Sequence, residues 1–547
     1  MKSMKAALLI ATAFGSVAVL SACSETAEES AGATVASGST LGLRADADVE
    51  ISPDMSKMTN PEIAAIFQHI DDNFEQHVIN LQNWIKQPSI SNTGEGIQES
   101  AEMVKGFFDQ LGCQQTQVYD VGETKYGTQA NPVVYASCDE GKDLTVVIYW
   151  MYDTMPITQP DLWKAPPFEG QLMPQEPYGN VMIGRGTANS KGGEMATWNA
   201  LMSIKEVTGT LPVNIIFVAE GDEERMSIGY EKFILDHPEL FEDADVMLSL
   251  GGGGGLSGGG SEGCVFVELI TTGEAWGRGP VRSNIHGGNK RSVDAPAWRH
   301  IQMLSKLVSP DGNTVLIPGF YDKMRPISPE VEARLRAQAE NFDPAAAADR
   351  LGVARFIADD PYDIVRMARM GTSMNLDGIW GGNMFEGGSG AILPNRIVSK
   401  HNFRYVPDMS GPEIVEQLRA YLDQLGYEDV EINVVGDVPW AEKSTDSPYH
   451  KAAYEALVAM GMSPDEPSSV EAIGGGYWPA YLFSGRGGSP LDIPIVGAGA
   501  GSGGNSHAAN EFYVIDGAGK TYGMAGAEKA KVAVLYAMAG LLNAPAK

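Results

Sequence analysis

The chain has 547 residues, with 39 Lys plus Arg against 70 Asp plus Glu and a formal net charge of −31. At roughly 100 to 200 residues per domain, this length predicts two or three folded units. A composition of 43% hydrophobic and 20% charged residues excludes general disorder, because disordered chains lack the apolar residues needed to offset conformational entropy. The acidity excludes nucleic acid as a partner, since binding a phosphate backbone needs clustered Lys and Arg that displace its counterions.

At the start of the chain, Lys2 and Lys5 precede an apolar run from Ala6 to Leu20, too short for a permanent bilayer span and characteristic of a secretory signal over residues 1–22. Leu20-Ser21-Ala22-Cys23 resembles a bacterial lipobox, which makes Cys23 the lipid-bearing first residue of the mature chain. Ser24, where an Asp would retain the protein, predicts an outer-membrane anchor facing the periplasm. Residues 23–54 are poor in large apolar side chains and are expected to form a tether, spanning about 30 Å by flexible-chain scaling. No later segment offers an uninterrupted apolar run of spanning length, so membrane contact is expected only through the lipid. Cys113, Cys138 and Cys264 remain. An oxidising compartment allows one disulfide, and Cys113 with Cys138 bracket two predicted strands.

Asn60-Pro61 suits a helix start, and the stripe Ile63, Ile66, Phe67, Ile70, Phe74, Leu81 and Ile85 predicts one helix ending before Pro88. A second helix carries Val104, Phe107, Phe108 and Leu111 and ends at Gly112. Short apolar runs at 144–150 and 213–219, with a helical stretch at 193–207 between them, predict a buried, mostly parallel sheet flanked by helices, hence an α/β fold. From about Val265 to Val435 the pattern changes to amphipathic strands with two long helices, and the βα rhythm returns near 447–460. The expected organisation is a catalytic domain over 55–264 and 438–547, interrupted by an α+β domain over 265–437. The Gly tract at 251–260 is expected to be a flexible linker.

Functional groups in such sheets gather beyond the carboxyl ends of strands. There the chain carries Met151-Tyr152-Asp153, Glu220-Gly221-Asp222-Glu223-Glu224 and Gly504-Asn505-Ser506-His507. Four acids within five residues repel one another unless a cation or a shared proton relieves them, which points to a metal or acid/base site; a solvated acidic loop is the alternative.

At these residues the chain resembles the aminoacylase, carnosinase and carboxypeptidase G family of co-catalytic zinc peptidases, metallopeptidase family twenty. The matching stretches are Asp161-Leu162-Trp163 with Pro166-Pro167-Phe168-Glu169, Gly184-Arg185-Gly186 with Lys191-Gly192-Gly193, Glu220 to Glu224, Leu316-Ile317-Pro318-Gly319, Gly378-Ile379-Trp380-Gly381-Gly382, Phe403-Arg404-Tyr405-Val406-Pro407, and His507-Ala508-Ala509-Asn510-Glu511. The resemblance implies a two-zinc catalytic domain with an inserted lid that dimerises, acting on dipeptides or N-acyl amino acids. It assigns Glu223 as general base, Glu224 and His507 as metal ligands, Asp153 as the acid orienting the family's first His, and Arg404 as the clamp on a substrate carboxylate.

Three of the family's five ligand positions hold other residues. The first His falls on Met151, a soft, weak zinc ligand; the bridging Asp falls on Asn189; a further Asp falls on Leu250. The lid's His falls on Arg282. This depletion implies at most one zinc or other divalent ion, or none. His69, His77, His237, His286, His300, His401 and His450 read as core or surface residues, not replacements, and Ser190-Lys191 reads as part of the family motif. Three functions follow: a hydrolase of small peptides or N-acyl amino-acid amides using Glu223, a pseudoenzyme that binds such molecules without turnover, or a metal-independent acid/base enzyme.

Overall fold

The computed structural model describes residues 41–45, 49–250, 254–470, 473–474 and 476–545. The signal segment and Cys23 lie outside the described residues. The stripe beginning at Ile63 is buried throughout, but it belongs to two helices, Pro61–Asp72 and Phe74–Ile85, instead of one. Asn73 breaks the run with φ −106° and ψ 10°, and its side-chain amide donates to the His69 carbonyl at 2.8 Å. This local bond competes with helix continuation. The third helix, Ile97–Leu111, stops at Gly112 in the left-handed conformation, a backbone geometry open to glycine.

The main sheet has seven strands in the order 115–119, 133–138, 214–220, 145–151, 246–249, 495–499, 255–257. Its four central strands run parallel, and the outer pairings are antiparallel. Helices Gly192–Thr208 and Met524–Met538 lie in the apolar layer on one face, together with the first three helices. The Cys113–Cys138 disulfide ties the end of the third helix to a strand of this sheet, and Cys264 is a free, buried thiol.

The glycine tract is not a linker in its described part. Gly255–Ser257 forms the edge strand beside Ile495–Gly499, and Gly260–Ser261 pairs with Ile473–Gly474. The missing side chains permit the approach: a Cβ on Gly259, where φ is +71°, would sit 2.2 Å from an Ile495 methyl. Residues 251–253 lie outside the described residues. The end of the segment read as a tether lies against the fold, with Leu43, Val49 and Ile51 packed on the core and the Glu50 amide donating to the Gly519 carbonyl.

Between the two halves of the main sheet's sequence, a four-stranded antiparallel sheet forms in the order 373–380, 396–405, 263–272, 431–438. Five helices of eight residues or more accompany it, in place of the two expected: Pro296–Leu304, Pro329–Glu340, Pro344–Leu351, Pro361–Met370 and Gly411–Gln424. Ser328, Asp343 and Asp360 cap three of these helices, each just before a proline, and such cap-plus-proline pairs restart the backbone. Residues 42–547 form one compact unit. The Tyr126 hydroxyl oxygen accepts the backbone N–H of Asp437 at 3.1 Å, and Cys264 and Val438 share a core with Met151 and Met226. Among the described residues, no helix is long and apolar enough to cross a membrane.

Candidate active site

The parallel strands place their carboxyl ends side by side, so Met151, Glu220 and Ser249 end adjacent strands. The chain after Glu220 turns tightly at Gly221, where a Cβ would meet the Tyr152 hydroxyl at 2.4 Å. It then forms a single turn, Glu223–Arg225. Asp153 is fully buried and pins that turn, accepting the backbone N–H of Glu223 at 3.3 Å and of Glu224 at 3.0 Å. The aspartate that the resemblance assigns to orienting a histidine therefore holds the backbone of the two glutamates. Asp222 faces away from them, accepting the Asn131 amide at 2.9 Å and pairing with Arg225 at 3.0 Å.

Glu224 and His507 meet directly, Oε1 to Nε2, at 2.9 Å. Asn189 lies against both: its amide nitrogen donates to Glu224 Oε1 at 3.1 Å and stands 3.0 Å from His507 Nε2. Glu511 holds Asn189 in place. One of its oxygens accepts the backbone N–H of Ala188 and Asn189 at 3.0 and 2.8 Å, and the other takes Arg185 at 2.6 Å and Gly186 N at 3.0 Å. Both members of the Arg185–Glu511 pair are buried.

Burial and like charge dominate the electrostatics. Burial, with the Glu224 and Asp222 charges adding to it, pushes Asp153 up to about 8. Glu223 is raised well above the ordinary carboxylate range, first by burial and then by Glu224, Asp153 and Glu220, with Arg404 opposing. Glu220 is also raised by burial, although Tyr149 and Ser227 hydroxyls donate to it at 2.7 and 3.0 Å. His507 moves up because Glu224 accepts its hydrogen bond, against the opposing effect of burial.

Two cavities flank the acidic turn. One of about 370 Å³ is lined by Glu224, His507, Arg404, Lys400 and Tyr477, and one of about 580 Å³ by Glu223, Asn189, Met151, Glu194, Tyr477 and Trp478. Arg404 reaches in from the strand Arg396–Tyr405 of the antiparallel sheet, pairs with Glu262 at 2.8 Å and lies 4.5 Å from the centre of the Tyr477 ring. The site thus draws together Glu223, Glu224, His507, Asp153, Asn189 and Met151. Leu250 is buried in the main core, its carbonyl accepting Lys531. Arg282 is exposed and lines neither cavity. His300 and His401 form a buried chain through Ser399, with 2.8 Å on each side of its hydroxyl, and burial pushes both down to about 4. Sequence reading missed Glu194, Glu511 and Tyr477. Glu511 sits in the motif with His507, but Glu194 and Tyr477 carry no local signal.

A model of Peptidase family M20/M25/M40 matches residues 149–523. The chain belongs to that family. It is thereby a peptidase-like hydrolase, in a family whose metallodipeptidases use divalent metals. It is 26% identical over 367 residues to a Cys-Gly metallodipeptidase of Candida albicans, covering 64% of this chain and 72% of that protein. It is 24% identical over 425 residues to the Beta-Ala-His dipeptidase of Rattus norvegicus, covering 73% and 82%. Among solved structures, an M20 family metallo-carboxypeptidase from Sulfolobus solfataricus superposes with TM-score 0.69 at 28% identity, covering 84% of this chain and 99% of that one. Human carnosine dipeptidase 1 superposes with TM-score 0.74 at 21% identity, covering 88% and 100%, and shares the fold.

The donors present do not fit a pair of divalent ions. Asn189 turns an N–H edge toward Glu224 and His507, where a bridging ligand must present lone pairs. Met151 packs among apolar residues, and Leu250 has no donor side chain. Glu224 and His507 fall one short of the three protein ligands of a catalytic zinc. Among the described residues, no group of three or more His, Cys, Asp or Glu is placed to hold a metal ion.

Proposed function

We propose that the protein hydrolyses the amide bond of short peptides or N-acyl amino acids, with Glu223 transferring the proton and Arg404 holding the substrate carboxylate. The observation that carries this reading is the convergence of two elements on one cleft. The Glu223–Glu224 turn rises from the main sheet and Arg404 from the inserted sheet, with Tyr477 lining the cavities on both sides. The dipeptidase names of two relatives support the substrate class.

In this reading a guanidinium fork fixes the carboxylate end of the substrate and sets the scissile bond over Glu223. Glu223 accepts a proton from the attacking water and returns it to the departing amine. The Glu224–His507 pair supplies a second proton-holding group at the same turn. A divalent ion is at most one per chain, and no step depends on it. Glu223→Gln keeps the shape and removes the base, so kcat falls by about 100-fold or more with KM little changed. Unchanged turnover of a dipeptide panel overturns the assignment.

The Asn189 amide, lying against both Glu224 and His507, favours a second reading: binding of the same molecules without turnover. Arg404-dependent affinity for a dipeptide, with no hydrolysis detected, would establish it. We further propose a lipid anchor on Cys23 in the outer membrane and a homodimer through the inserted domain, both resting on the sequence resemblance.

A further inference from the structure

We propose that Tyr477 is the oxyanion donor of the reaction, its phenol hydroxyl holding the scissile carbonyl oxygen as that oxygen takes up negative charge. The proposal rests on the hydrolase reading for the course of the substrate through the cleft, and it supplies a catalytic residue which that reading lacks.

Among the described residues, Tyr477 alone lines both cavities. It stands where the space beside Glu223 meets the space beside Arg404, so a molecule with its carboxylate on Arg404 and its scissile bond at Glu223 passes over it. The backbone around it is pinned: the Glu262 N–H donates to the Gly476 carbonyl at 3.2 Å, and the Ser261 hydroxyl donates to the Trp478 carbonyl at 3.1 Å. Glu262 also pairs with Arg404, whose guanidinium lies over the Tyr477 ring, and the Phe266 ring centre stands 6.3 Å away. These neighbours fix the ring in place, which an oxyanion donor requires, because its effect comes from being oriented before the charge develops.

The hydroxyl is uncommitted: it makes no hydrogen bond to any described residue, and its oxygen is not shut away from solvent. Neighbouring donors are taken. The Tyr149 hydroxyl serves Glu220, and the Asn189 amide serves Glu224. The Trp478 indole lines the Glu223 cavity alone. Burial, and after it the Glu223 charge, raises the Tyr477 phenol well above its ordinary value, so it is protonated at neutral pH and donates. As water oxygen bonds to the carbonyl carbon, its proton passes to Glu223 and the carbonyl π pair moves onto oxygen, which Tyr477 holds. Collapse re-forms the carbonyl, breaks the C–N bond and delivers the Glu223 proton to nitrogen. Tyr477 keeps its own proton throughout.

The test is Tyr477→Phe in the full chain, which keeps the ring against Arg404 and removes only the hydroxyl. On Ala-Gly and a panel of dipeptides, kcat is expected to fall by about 100-fold with KM unchanged, the scale on which a lost oxyanion donor acts. Two unreactive analogues of Ala-Gly supply the binding readout, measured by calorimetry. The phosphinic analogue, tetrahedral at phosphorus, should bind about 100-fold more weakly to the variant, and the planar ketomethylene analogue equally well to both proteins, which also shows the variant folded. Unchanged kcat and phosphinate affinity overturn the proposal. So does a loss confined to KM that vanishes on the C-terminal amide, which would make Tyr477 a carboxylate contact, or a loss carried by Trp478→Phe instead. A loss in Tyr477→Phe together with turnover that ignores Glu223→Gln upholds the donor and defeats the Glu223 reading. Tyr477-dependent phosphinate binding in a native protein that turns over no dipeptide upholds the donor and defeats hydrolysis.

Discussion

Glu224 Oε1 lies 2.9 Å from His507 Nε2, so the two groups that the resemblance assigns to a metal are in direct hydrogen-bonding contact. Asn189 completes the contact with its amide nitrogen. Asn189, which stands where the resemblance expects an aspartate, thus touches both residues that the resemblance assigns as ligands.

If neutral replacement at these positions removed the metal centre, restoring the donors should rebuild it. The variant Met151→His, Asn189→Asp, Leu250→Asp should hold close to two zinc ions per chain by elemental analysis, and the native protein fewer than two. Leu250→Asp places its carboxylate near Lys531, which offers partial compensation for burying a charge. Equal metal content in both proteins would show that the ligand positions are misassigned.

Arg404→Lys keeps the charge but loses the planar fork and the stacking over Tyr477. A drop in kcat/KM of about 10- to 100-fold is expected, carried mainly by KM, because charged hydrogen bonds to a carboxylate contribute about 1.5–3 kcal/mol. Steady-state kinetics on a dipeptide with a free carboxylate, and on its C-terminal amide, check it: the amide should be insensitive to the substitution.

The Cys113–Cys138 bridge closes a segment of 25 residues, for which loop-closure entropy gives about 3.5 kcal/mol of stabilisation. Urea unfolding of a Cys113→Ser, Cys138→Ser variant should show a loss of about 2–4 kcal/mol with the midpoint shifted and the slope little changed.

His77 pairs with buried Glu528 at 2.7 Å. Burial pulls the imidazole down, but the Glu528 charge and hydrogen bond outweigh it, and the folded value lies above 6.5. A raised histidine contributes stability in full below its unfolded value and loses it as pH rises through its folded value. The thermal midpoint of the native protein should therefore exceed that of His77→Gln most below about pH 6.5, with the gap narrowing at alkaline pH. A gap that widens with pH would reverse the assignment.

The pattern of the sequence determined the element types and the site's address. Apolar stripes marked the helices, continuous apolar runs marked the parallel strands, and the residues just past those runs proved to be the ones that converge, because strand direction and order put carboxyl ends together. Met151 and Asn189 were read as departures from the family pattern because motif neighbours set the register there, whereas at Leu250 the glycines that follow give no such anchor. The Asn73 break was not legible, because the apolar period continues across it and a single side-chain bond ends the helix. Nor was the strand within the glycine tract, where no side-chain pattern exists and the partner lies at 495–499.

Only the tertiary structure decided how the surviving groups are used. Asp153 serves the turn at 223–224, and Glu511 cradles Asn189 from more than 300 residues away in sequence. A local window of sequence records periodicity and backbone preference. Which donor each buried carboxylate finds depends on contacts that form only when distant segments pack together.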